Sequence, residues 1–158
     1  MKNICSIFAL IFFNSCVYAI TCDEQARTCD YKAVFLKDSA VVWSFTAQTT
    51  STPEIEIGYY DSNNKWVLLA NSSVHSTNFN NRSTGRFIPP ITGIYHIIFH
   101  NVKDVSSETA AIEELNKVVV VTHLFAMEDG IDDDIDFDDA FAVVSWFISD
   151  SIPLPVTP

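Results

Sequence analysis

Between Glu128 and Asp139 the chain places eight carboxylates in twelve residues, Glu128-Asp129-Gly130-Ile131-Asp132-Asp133-Asp134-Ile135-Asp136-Phe137-Asp138-Asp139. Two carboxylates about 5 Å apart repel by roughly 3 kcal/mol at an effective dielectric of 20. Several such pairs rival the ~5 to 15 kcal/mol that holds a whole domain folded. The charge must be offset by solvent and salt, by protonation, by a cationic partner, or by a bound metal. The interleaving favours a metal: if residues 134 to 138 are extended, Asp134, Asp136 and Asp138 point one way and Ile135 and Phe137 the other, so one side packs while the other collects oxygens. Hard oxygen ligands with no His or Cys nearby in sequence suit calcium, which takes six to eight oxygens in flexible geometry; magnesium demands a stricter octahedron. The loop is no EF-hand, because Phe137 stands where the turn glycine belongs and Val143 where the bidentate Glu belongs.

Glu128-Asp129-Gly130, then Asp136-Phe137-Asp138-Asp139-Ala140, then the apolar run Phe141-Ala142-Val143-Val144-Ser145-Trp146 resembles the calcium loop and last strand of the bacterial calcium-dependent fucose/mannose-binding lectins. More broadly it resembles exported calcium-binding β-sandwich domains with an Asp-x-Asp-Phe/Tyr-Asn/Asp-Asp loop. The resemblance implies that Glu128, Asp134, Asp136, Asp138 and Asp139 are calcium ligands and that Asp129 contacts a sugar. This loop is two residues longer than the family's, which brings Asp132 into the ligand set beside Asp134. It also carries Asp138 where the family has Asn, and the chain continues through Pro158 where the lectins end. The expected function is an exported calcium-binding module that binds carbohydrate or a glycoconjugate through or near the calcium. The competing reading is a structural or adhesive surface protein in which calcium only stabilises the fold.

Catalytic arrangements are missing from the sequence. None of the four glycines makes a Gly-x-Ser-x-Gly, and there is no His-Glu-x-x-His. His96 and His100 share a strand face about 13 Å apart at ~3.3 Å per residue, too far for one metal, and all four histidines read as surface or edge residues. A glycosidase needs carboxylates on opposite sides of a scissile bond, and here they crowd one turn. No catalytic residue is expected. Trp43, Trp66 and Trp146, at strand positions, read as core rather than as sugar platforms. The formal charge of −11 disfavours nucleic acid and anionic lipid, both of which are bound through basic side chains.

The elements that must hold this loop are short runs of β-branched and aromatic residues separated by polar turns, the signature of strands. They fall at Ala33 to Leu36, Ala40 to Thr46, Glu54 to Tyr60, Lys65 to Ala70, Gly85 to Ile88, Gly93 to His100, Lys117 to Met127 and Ala140 to Ile148. About eight strands predict an all-β, antiparallel β-sandwich with the acidic loop before its last strand. Val118 to Val121 and Phe141 to Ile148 are apolar on both faces, which places them centrally in a sheet or under a loop or partner. Oligomerisation is open on that account. Asp61-Ser62-Asn63-Asn64 reads as a hairpin turn, and Ser106 to Leu115, with serines able to cap and glutamates following, as the one stretch with a helical look, a short helix or else a loop. Asn71-Ser72-Ser73 and Asn81-Arg82-Ser83 match the glycosylation acceptor pattern and equally read as polar turns.

Lys2, the apolar run Ile4 to Phe13 and Val17-Tyr18-Ala19 compose an export signal over residues 1–19, too short and interrupted for a membrane span. Residues 20–150 form the sandwich domain and 151–158 a proline-rich tail. Cys5 and Cys16 leave with the signal; Cys22 and Cys29, with six residues between them, form a local disulfide in an exported chain and pin its start.

Overall fold

The structure is a computed structural model that describes residues 20–75, 81–114, 117–129 and 137–148. Ten strands form it: β1 Ile20–Asp23, β2 Thr28–Phe35, β3 Ala40–Ala47, β4 Glu54–Tyr60, β5 Trp66–Ser73, β6 Arg82–Phe87, β7 Gly93–His100, β8 Asp104–Glu114, β9 Lys117–Glu128 and β10 Ala140–Phe147. They build two five-stranded sheets, β1-β2-β7-β4-β5 and β6-β3-β10-β9-β8, with every adjacent pair antiparallel. The molecule is the expected β-sandwich. Among the described residues no helix is long and apolar enough to cross a membrane.

Period-two alternation decides which side chains enter the core. Cys29, Tyr31, Ala33 and Phe35 of β2 and Tyr95, Ile97 and Phe99 of β7 face Val41, Trp43 and Phe45 of β3 and Ala142, Val144 and Trp146 of β10, all buried. Aromatic edges interlock across the gap, with Tyr31 and Phe99 each about 5 Å from the Phe125 ring, at 4.9 and 5.0 Å between centroids. Fully burying a side chain of this size contributes about 1.5 to 3 kcal/mol. Trp43 and Trp146 lie in this core, whereas Trp66 is half-buried at the start of edge strand β5, its ring lying over Gly58, where a Cβ would stand 2.6 Å from it. The Asp61 turn forms as read: its carboxylate accepts from the Asn63 and Lys65 amides at 2.9 Å each, and Asn64 takes φ 57°.

Four expectations are corrected. Ser106 to Glu114, the described part of the stretch read as helix or loop, is neither but most of edge strand β8, paired along its length with β9. A helix there would have left the backbone of the long apolar strand β9 without a partner on that side, and pairing it outweighs the weak helical signal of a few serines and glutamates. A further strand, β1, precedes the first one expected. Asn71 lies within β5 rather than in a turn, while Asn81 does precede a strand. His123 is fully buried, not at a surface or edge: its Nδ1 lies 3.0 Å from the Tyr31 hydroxyl and 2.9 Å from that of Thr109, between the sheets. Burial holds its pKa down at about 4, so it is neutral at pH 7.

Candidate functional site

The acidic loop leaves the sandwich at one end of the second sheet. Met127 pairs with Ala140 and Ala140 with Ala47, so β9 ends, β10 begins and β3 ends in one row, and the flanking residues Glu128 and Asp139 are brought together. Glu128 and Asp129 are 1% and 3% exposed, and Asp139 is half-buried. One carboxylate oxygen from each of the three lies within 4.8 Å of the others.

Segments remote in sequence fix this corner. The Asp129 amide donates to the Asp139 carboxylate at 2.8 Å, and the Gln48 amide, just past β3, donates to the Asp139 carbonyl at 2.6 Å. The Thr49 hydroxyl accepts from the Ser51 amide at 3.1 Å and donates to the Asp129 carboxylate. From the other sheet, the Arg27 guanidinium donates to the Asp129 carbonyl and, at 3.5 Å, to that of Asn101. Arg27, at φ 51°, sits in the β1–β2 turn, where the Asp23 carboxylate accepts from the Gln25 and Ala26 amides at 3.0 Å each. The Cys22–Cys29 disulfide closes that hairpin, joining residues paired in the β1–β2 register. The Lys103 amide completes the corner by donating to the Glu128 carbonyl at 2.7 Å.

The electrostatics follow from crowding. Partial burial, and then the negative charges of Asp129 and Glu128, push the Asp139 carboxyl up to about 6, with a hydrogen bond to Glu128 adding in the same direction and the Asp129 amide opposing. A positive charge placed among these three carboxylates would oppose their mutual repulsion and favour their ionised forms.

Of the residues read from sequence, Glu128, Asp129 and Asp139 converge here. Asp138 is exposed beside them. Phe137 is half-buried with φ 57°, so the chain turns at that residue instead of running extended into Asp138 as expected. Asp132, Asp134 and Asp136 lie outside the described residues, as do the export signal and the tail. The sequence reading missed Thr49 and Arg27. Each meets Asp129 across a large separation, 80 and 102 residues, so no local spacing signals the contact; Ser-Thr clusters and an isolated turn arginine are the only traces.

No protein-family model matches the chain, and no curated protein matches it in sequence. Its fold is that of known lectins. A high-affinity mannose-binding lectin of Ralstonia solanacearum superposes with a TM-score of 0.51 at 19% identity, over 73% of this chain and 94% of that one. The lectin CV2L of Chromobacterium violaceum, solved with α-methyl-fucoside, gives 0.53 at 19% identity over 73% and 94%. The C-terminal domain of the lectin BC2L-C of Burkholderia cenocepacia gives 0.51 at 16% identity over 73% and 93%.

Proposed function

We propose that this protein is a calcium-binding lectin-like module that acts by binding sugar and not by catalysis. The observation that carries the reading is the convergence of Glu128, Asp129 and Asp139 at the end of a sandwich whose fold is shared with mannose- and fucose-binding lectins. The fit to calcium rests on the donors. Three carboxylates each bring a hard oxygen to within 4.8 Å of the others, with two of the residues buried and the third made hard to ionise by partial burial and then by its neighbours, and hard oxygens with that charge suit calcium better than softer metals. Glu128 and Asp139 would hold the ion, Asp129 would hold or brace it through Thr49, and Asp138 with Asp132, Asp134 and Asp136 would supply further oxygens. When bound, calcium offers coordination positions that vicinal sugar hydroxyls can occupy. Buried Asp129 fits the metal side of that arrangement better than the sugar contact the resemblance implied. Export through residues 1–19 belongs to the same reading, and the Cys22–Cys29 disulfide supports an oxidising destination.

A second reading is favoured by the same burial: with Glu128 and Asp129 almost inaccessible, the ion could be closed off by protein oxygens and serve the fold alone. The two separate in one experiment. Labelled protein is applied to a glycan array carrying mannosides and fucosides, in calcium and in chelator, alongside Asp139→Asn, and melting temperatures are taken under the same conditions. The lectin reading expects retention that disappears with chelator and in the variant, and a melting temperature raised by calcium in the wild type, since a ligand at about 100 times its Kd stabilises by roughly 2.7 kcal/mol. Calcium-dependent melting with a blank array selects the structural reading. No response of melting to calcium removes the metal from both.

A further inference from the structure

Three rings meet on the outer face of the first sheet. Ile55 and Ile57 of β4 are buried in the core, so Glu56, Gly58 and Tyr60 point the other way. There the Tyr60 ring lies 5.2 Å from that of Trp66 and 5.3 Å from that of His96 between centroids, and Trp66 lies 6.1 Å from His96. The three planes are inclined to one another by 55°, 88° and 82°. Tyr60 is 49% exposed and Trp66 half-buried, and neither ring belongs to the core.

The backbone is shaped to hold the indole on this face. Ile57 pairs with Ala70 but Gly58 with Leu68, so Leu69 is an extra residue in β5, a bulge of the kind that re-aims a neighbouring side chain. The Trp66 ring leans inward over Gly58, toward His96, instead of covering the edge of β5. A glycine inside a strand weakens it and marks a close approach, here of the ring. His96 is fixed in turn, because its Nδ1 donates to the Asp30 carboxylate, 2.9 and 2.8 Å from the two oxygens. The rings are thus braced before any ligand arrives.

Polar groups stand along one side of them. One cross-strand row runs Lys32, His96, Gly58, Leu68, and Asp30 follows Lys32 on the same face of β2. The Asp30 side chain is 31% exposed and Lys32 is exposed. Lys32 and Gly58 are two strands apart, about 10 Å between backbones, so a lysine stem reaches anything resting on the Trp66 ring. A carboxylate accepts and an ammonium donates, and both beside apolar rings suit a ligand with one C–H face and a rim of hydroxyls. Pyranosides with equatorial substituents have that shape, since their axial hydrogens form an apolar face and their hydroxyls point outward around it. A lipid tail would desolvate Asp30 and Lys32 without pairing them, and a peptide strand pairs at a sheet edge, not on a face.

We propose that Trp66, Tyr60, Asp30 and Lys32 form a second carbohydrate site, which stacks β-linked, equatorially substituted pyranose on the indole without calcium. It stands well away from the acidic corner. Arg27 reaches that corner from just before β2, and Thr28 is level with His100 and Glu54 at the start of β4, whereas Tyr60 ends β4. The proposal does not rest on the acidic loop holding calcium or sugar.

The probes are cellohexaose, chitohexaose and xylohexaose, three β-1,4-linked equatorial hexaoses, titrated to about 2 mM into the mature chain in excess chelator by calorimetry and tryptophan emission. Trp43 and Trp146 are buried, so a change in emission on binding reports Trp66. At least one probe is expected to bind with a Kd below about 1 mM, as an open platform allows. Trp66→Ala is expected to weaken it about tenfold or more, and Tyr60→Ala or Lys32→Met about threefold, while Asp139→Asn leaves it unchanged. Trp66→Phe, which keeps a ring, is expected to retain part of the affinity and lose the emission change. Melting curves check each variant's fold, and Tyr60→Ala, at an exposed ring, keeps the test decisive if Trp66→Ala unfolds the chain. Failure of all three probes to bind, binding that requires calcium, or binding indifferent to the ring variants overturns the proposal. Retention on the mannoside and fucoside array that fails while these titrations succeed would remove the calcium-site reading alone.

Discussion

His123 and Asp139 titrate in opposite directions, and both do so for lack of solvation. The His123 ring, between Tyr31 and Thr109, takes its proton in the unfolded chain near the ordinary value of 6.5 and in the folded protein only at about 4. Between those values the unfolded state binds more protons, so this contribution is complete above pH 6.5 and lost as pH falls toward 4. It is worth about 3 kcal/mol at most. Asp139, raised from 3.8 to about 6, does the reverse: protonation on acidification relieves the cluster. The expected outcome in urea titrations at pH 7 and pH 4.5 is that His123→Gln, which keeps an amide able to meet Tyr31 and Thr109, loses less stability on acidification than the wild type. Equal losses would show that the buried ring does not govern the acid response. At this scale the sequence displayed the charges but not their partners: Glu128 and Asp139 announce themselves by density, whereas Thr49 and Arg27 are defined by contacts that exist only after both sheets have packed.

Among the elements, the strands with strong alternation or long apolar runs were legible, because period two and burial coincide in β3, β7 and β10. The two that escaped are edge strands. Neither β1 nor β8 needs an apolar face to hold it, and each is held by backbone pairing to a better-defined neighbour. The β1–β2 hairpin is a short element with a remote effect, since its disulfide closes the turn from which Arg27 reaches the Asp129 carbonyl. Replacing Cys22 and Cys29 together by Ala is expected to cost about 2 to 3 kcal/mol, the chain-entropy value for so small a loop. It is also expected to weaken calcium binding in isothermal titration, because the arginine is no longer held in place. A calcium isotherm identical to wild type would uncouple the hairpin from the loop.

On the scale of the whole molecule the chain passes repeatedly between the sheets: β1 and β2 lie in the first, β3 in the second, β4 and β5 in the first, β6 in the second, β7 in the first and β8 to β10 in the second. Half of the strand pairings, β2–β7, β4–β7, β3–β6 and β3–β10, are therefore non-local, and folding is correspondingly slow. The acidic corner draws on the β1–β2 turn, the segment after β3, the segment before β8 and both ends of the β9–β10 loop, so it is finished only when the sandwich has closed. A site assembled after the transition state changes the rate of leaving the native state and not the rate of reaching it. In stopped-flow denaturant jumps, saturating calcium is therefore expected to lower the unfolding arm by the full factor by which it stabilises the protein and leave the folding arm where it was. A folding rate that rises with calcium would instead put the β9–β10 loop in the nucleus. On the expected outcome, calcium would act as a timekeeper: its withdrawal would leave newly made chains folding at their usual pace and shorten how long each one stays folded.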